Sequence, residues 1–159
     1  MAEPVVTNDS LEYDRSVIGV EVEVGTFEVT QEQVLKFVAA TGEANPIYTD
    51  AEAARAQGYR NIVAPPTFFT TFRTRGGLDP KVKFGNTAFH AGQHCDFIEP
   101  LQVGDRISAK AKVLEVFAKT GRTGTMVFSV SETAYYNQEG RQVARIENSM
   151  VRRMMERGD

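Results

Sequence analysis

What most restricts the fold is a change of hydrophobic period near residue 86. Beyond it, apolar and polar residues alternate over long stretches. Ile107, Ala109, Ala111 and Val113 alternate with Arg106, Ser108, Lys110 and Lys112, which predicts a strand with one wet face. The parity slips around Leu114, as a β-bulge would make it. Thr87 to Ile98 reads as a long strand with a mixed face. Met126, Phe128 and Val130 open another strand that ends near Tyr136, and Arg141 to about Arg153 forms the last. Short turn sequences at 99–105, 119–124 and 137–140 separate these strands, so the second half predicts a run of antiparallel strands.

The first half obeys other rules. Val20 to Val24 alternates, Gly25 interrupts, and Thr26 to Val29 reads as a short strand. Thr30 and Gln33 have the spacing of a capping box, and Val34, Leu35, Phe37 and Val38 recur at helical spacing up to Ala40. Gly42 ends that helix. Asp50 is an N-cap for a second helix running through an Ala-rich stretch to Gly58. Pro65 and Pro66 suit the mouth of a third, where their missing N–H groups would have no intrahelical partner. Phe68, Phe69 and Phe72 follow and predict a buried core helix stopped by Gly76 and Gly77. Residues 1–10 read as a frayed end and Leu11 to Ile18 as a turn or two. The sum is α+β in a single domain.

Several function classes fall away on charge and composition. A net charge of −3 with mixed signs offers no field for gripping nucleic acid. The one cysteine, Cys95, cannot form an intramolecular disulfide. No basic-then-apolar leader is present, and no apolar run approaches the roughly 20 residues of a membrane span. The expectation is a cytoplasmic protein. His90 and His94, four residues apart, would face one side of a strand, but without a further ligand pair they do not make a metal site. No metal or cofactor is expected.

Three segments then carry a resemblance: TGEANPIYTD at 41–50, IVAPPTF at 62–68 and HAGQHCDFIEPLQVGD at 90–105. In order and separation they resemble MaoC-like (R)-specific enoyl hydratases and dehydratases. The likeness is strongest to the FAS1-like (MaoC N-terminal) type and to accessory subunits of mycobacterial (3R)-hydroxyacyl-ACP dehydratases. The similarity runs from about Gly25 to Met150. It implies a single HotDog domain over 25–153, a long antiparallel sheet wrapped around a central apolar helix, with residues 1–24 an N-terminal extension and 154–159 a tail.

The resemblance also implies chemistry. Catalytic relatives hydrate a trans-2-enoyl thioester reversibly to the (3R)-3-hydroxy product, with an Asp and a His holding one water as acid and base. An amide N–H at the mouth of the central helix polarises the thioester carbonyl. This sequence departs at each of those positions. Glu43 stands for the Asp and Tyr48 for the His, and a phenol of ordinary pKa about 10 is a poor base at neutral pH. Pro66 stands for the glycine that offers its N–H, and proline has none. Taken singly, Glu43, Asn45, Tyr48 and Asp50 also have structural readings as caps, turn residues and core.

The implied reading is therefore the degenerate, substrate-binding half of a heteromeric hydratase/dehydratase, a lyase of lipid metabolism. A MaoC-like partner would be catalytic, as a heterodimer or heterotetramer. The alternatives are an active homodimer using Glu43, or a non-enzymatic module that binds acyl thioesters. Catalytic candidates are Glu43, Tyr48 and His90. Substrate-binding candidates are Asn45, Pro66, Thr67, Phe68, Phe69, Phe72 and Gln93, with Ala88 and Ala91 as further lining. The expected ligand is an acyl-CoA or acyl-carrier-protein thioester.

Overall fold

The computed structural model describes residues 6–155. Its frame is one antiparallel sheet of five strands in the order β1-β3-β4-β5-β2. These are β1 (Val22–Glu28), β2 (Thr87–Phe97), β3 (Arg106–Gly121), β4 (Gly124–Tyr136) and β5 (Gln142–Arg153). The sequence alternation becomes a two-faced sheet directly: Ile107, Ala109, Ala111 and Val113 are all buried, the first three in the core packed by α1 and Val113 in a second core. The parity slip in β3 is a register shift between Val113 and Glu115 against β4. Beyond it the buried positions move to Val116 on the same face.

Helix α1 (Gln31–Thr41) forms as its caps predict. Thr30 Oγ1 accepts from Gln33 N while Gln33 Oε1 accepts from Thr30 N, and Gly42 closes the helix in the left-handed region at φ 72°. The short helix α2 (Ala51–Ala56) is capped by Asp50, whose Oδ1 accepts from Glu52 N at 2.8 Å. Val34 and Val38 of α1 join Phe68, Phe69, Ile107 and Ile146 in the principal core. A second core under the far end of the sheet is closed by Leu11, Val17, Ile18, Val82 and Phe84. The stretch expected to fray is thus tied down from residue 6 onward, with Asn8 Oδ1 accepting from Ala118 N at 2.7 Å. Residues 1–5 of that stretch, and the tail after Met155, lie outside the described residues.

The central apolar element corrects one expectation. A helix running from Pro66 to about Arg75 is predicted, but the chain makes a six-residue 3-10 turn, Pro66–Thr71. Thr70 and Thr71 turn their hydroxyls back onto the carbonyls of Thr67 and Phe68, both at 2.8 Å. Such bonds compete with helix propagation. The chain then leaves along β1, where Arg75 N donates to Val24 O at 2.7 Å. Despite its length this turn is the hub of the core, with Phe68 and Phe69 buried. Among the described residues no helix is long and apolar enough to cross a membrane.

Candidate functional site

The loop after α1 is built from local bonds. Asn45 Oδ1 accepts from Ile47 N at 3.2 Å and so caps a 3-10 turn, Pro46–Tyr48. Val63 N then donates to Ile47 O, and Ala64 N to Leu101 O, which fixes the entry to Pro65 and Pro66. That entry is locked from outside. The buried Asp105 carboxylate accepts from Arg60 Nη2 at 2.6 Å, Gln102 N at 2.8 Å and Gln138 Nε2 at 3.1 Å. Gln102 Oε1 in turn accepts from Arg60 N and Asn61 N. The two loops and the β4–β5 turn are thereby held as one wall.

Inside this wall lies a pocket of about 340 Å³ whose surface includes Tyr48, Tyr59, Pro66, Phe69, Phe97 and Ile98. Burial pushes the Tyr48 phenol above its ordinary pKa, and the negative charge of Glu43 and then Tyr59 push it the same way. A phenol raised from 10 keeps its proton at neutral pH, so it can donate a hydrogen bond but not serve as a base. Pro66 occupies the first position of the central turn, with no side-chain cap before it. Proline puts no donor there.

The predicted site residues do not all meet. Tyr48, Pro66 and Phe69 share the pocket, whereas Phe68 and Phe72 line a different cavity beside α1. Glu43, Asn45 and Thr67 are exposed and line neither. His90 and Gln93 lie further along β2 on the face that carries the helices. Gln93 Nε2 donates to Asn148 Oδ1 at 3.0 Å, and His90 Nε2 lies 3.4 Å from the same oxygen. Ala88 and Ala91 line neither cavity.

The two histidines need a correction. A bulge between His90 and Gly92 reverses the parity of β2, so His94 points to the opposite face from His90. There His94 Nε2 sits 3.0 Å from Asp96 Oδ1, and Arg145 bonds Asp96 Oδ2 through Nε and Nη2. The Arg145 guanidinium, with His94 behind it, holds the Asp96 carboxyl below its ordinary value. The histidines cannot share a ligand.

Tyr59, Phe97, Ile98 and Asn148 are site residues that sequence reasoning missed. Tyr59 directly follows Gly58 at the end of the Ala-rich stretch, and an aromatic at that turn is a signal the sequence does carry. For Asn148 it carries none, because its role depends on the register of β5 against β2.

Known proteins resemble the chain as follows. The FAS1-like dehydratase domain region matches residues 16–146. A UPF0336 protein of Streptomyces coelicolor is 33% identical over 114 residues, covering 68% of this chain and 76% of its own length. The ChsH1-ChsH2 complex of Mycobacterium tuberculosis superposes with a TM-score of 0.69 at 23% identity, over 88% of this chain and 86% of that one. The C-terminally truncated HadBC (3R-hydroxyacyl-ACP dehydratase) complex of the same organism gives 0.63 at 22% identity, over 86% and 98%. At these identities the solved structures establish the fold, a single HotDog.

Proposed function

The chain belongs to the FAS1-like dehydratase domain family, and from that premise we propose that it is a substrate-binding half of a MaoC-like hydratase or dehydratase, without a complete set of proton-transfer groups of its own. The single observation that supports this is the pocket's chemistry. At the family's base position stands a phenol whose pKa is raised, and at the amide-donor position stands Pro66. A protonated phenol does not take up a proton as base and Pro66 offers no N–H to an oxyanion, which supports a half that does not carry out the reaction by itself.

In this reading the pocket bounded by Tyr48, Phe69 and Phe97 contributes an apolar wall to a site completed by a catalytic MaoC-like subunit. The β2 edge is the surface on which that subunit sits. It exposes Phe89, Phe97 and Ile98, with Met150 beside them on β5, and an unpaired apolar strand edge is a template for another chain. ChsH1-ChsH2 and HadBC, which share this fold, are complexes, which supports a heteromer here. The substrate would be an enoyl or 3-hydroxyacyl thioester, on CoA or on a carrier protein.

The test is hydration of crotonyl-CoA and longer enoyl-CoAs by the purified chain, alone and after co-purification with its genomic neighbours. Turnover is expected only with a partner, and robust turnover by the chain alone would sink the proposal. The paired variant Tyr48→His, Pro66→Gly should raise the activity of the chain alone. One observation favours a second reading, an active Glu43–Tyr48 pair: the charge of Glu43 reaches Tyr48. That reading requires activity in the isolated chain that Glu43→Gln removes.

A further inference from the structure

The cavity beside α1 has no part in the reading above. It occupies about 510 Å³ between β1, α1 and the central turn, within the range of small-molecule sites. Phe27, Phe37 and Phe72 line it, each only half-buried, around the fully buried Phe68. Their packing is specific. Phe27 stacks on Phe72 at 4.6 Å and 11°, and Phe37 meets Phe68 edge-on at 5.5 Å.

The cavity is held open by a glycine. β1 shifts register between Glu23 and Gly25, and a Cβ on Gly25 would fall 2.6 Å from Cζ of Phe27. A side chain at position 25 would therefore shift the Phe27 ring, which stacks on Phe72 and forms part of the cavity wall. The mouth is polar and lopsided in charge. Glu28 is engaged by Arg106 at 3.6 Å, and Gln33 Oε1 is occupied by the Thr30 amide. Lys36 stands at the rim, and among the described residues no carboxylate pairs with it.

We propose that this cavity is a second ligand site, separate from the pocket at Tyr48, and that it takes a linear fatty carboxylate. The chain lies between Phe27, Phe37 and Phe72, and the carboxylate meets Lys36 at the mouth. An apolar trough with a single unpaired cation at its rim matches that one amphipathic shape. The fit requires neither a partner subunit nor a thioester.

Calorimetric titration of the full chain with octanoate, dodecanoate, hexadecanoate and the methyl ester of dodecanoate tests it. One molecule should bind per chain, with affinity rising by up to about fourfold for each added methylene until the trough is filled. The ester should bind roughly threefold more weakly than the acid, and Lys36→Glu should weaken the acid by at least that factor. Ala40→Phe, an exposed helix position on the wall, should weaken binding by about tenfold or more by filling the space. Gly25→Ala should do the same by displacing Phe27, an independent route to the same loss. Ile98→Lys, at the rim of the other pocket, should leave binding unchanged. Absence of saturable binding overturns the proposal. So does indifference to Ala40→Phe and Gly25→Ala, or equal affinity for acid and ester.

Discussion

The two edges of the sheet are treated in opposite ways. Along β1 the side chains turned from the core are Glu23, Thr26 and Glu28, and neighbouring Glu21 pairs with Lys110 at 3.3 Å. The inner side of that edge is covered by α1 and the central turn. Along β2 most residues are exposed, Phe89 and Phe97 at 44% each, and its inner face carries His90 and Gln93, beside Asn148 of β5, with no helix over them among the described residues. Charged residues blunt an edge and apolar ones invite pairing. One edge is finished by the chain itself, while the other keeps apolar side chains exposed, as the proposed pairing with a second chain requires.

Removing the core beneath the finished edge should have the largest effect. Phe68→Ala takes away the ring packed against both Phe37 and Phe72 and should destabilise by about 3–5 kcal/mol. Urea unfolding should give that loss independently of protein concentration, since this half is packed by α1 and the central turn of the same chain. At the other edge, Phe89→Lys with Ile98→Lys should leave unfolding of the isolated chain within about 0.5 kcal/mol. The same pair should weaken association by about 2 kcal/mol or more, read by sedimentation as a shift to the free chain. If both values changed together, the β2 edge would be part of the folding unit and the contrast would fail.

Smaller effects sharpen the contrast. Thr30→Ala removes the cap that starts α1 over the β1 side and should lower stability by about 1 kcal/mol, seen as a lower urea midpoint. Lys110→Ala breaks only an exposed pair with Glu21 and should change stability by less than about 0.5 kcal/mol.

The pH dependence should separate the halves by sign. Asp96, on the β2 side, has a lowered pKa from its Arg145 bonds. Its contribution is present above the ordinary value of 3.8 and is lost as pH falls through the lowered one. Asp96→Asn should therefore flatten the acid limb of the urea midpoint against pH. Tyr135, packed against Phe69 in the covered core, has its pKa raised by burial and then by Cys95. Its contribution is present below the ordinary 10.0 and is lost as pH rises through the raised value. Tyr135→Phe should flatten the alkaline limb alone.

The contrast between edges was only partly visible before the fold was known. Alternation located β3, β4 and β5, yet nothing local says which strands are outermost. That order follows from long-range pairing of β1 with β3 and of β2 with β5. The resemblance located Tyr48 and Pro66, and both reach one pocket because Ile47 and Val63 are joined backbone to backbone. The sequence offers Phe68, Phe69 and Phe72 as one lining. Phe72 lies just past the 3-10 turn with extended backbone, and it lines the cavity beside α1 with Phe68, while Phe69 lines the pocket at Tyr48.

The sequence by itself determined the caps at Thr30, Gly42, Asn45 and Asp50 and the strand periods, and it put a phenol at Tyr48 and a residue without an N–H at Pro66. These depend on a residue's own chemistry and on neighbours within one turn. The tertiary structure decided that His90 and His94 part company at a bulge, that Asn148 gathers His90 and Gln93, and that Gly25 makes room for a second cavity. Each of those depends on register between strands distant in the chain, and a shift of one residue there reverses a side chain from one face to the other.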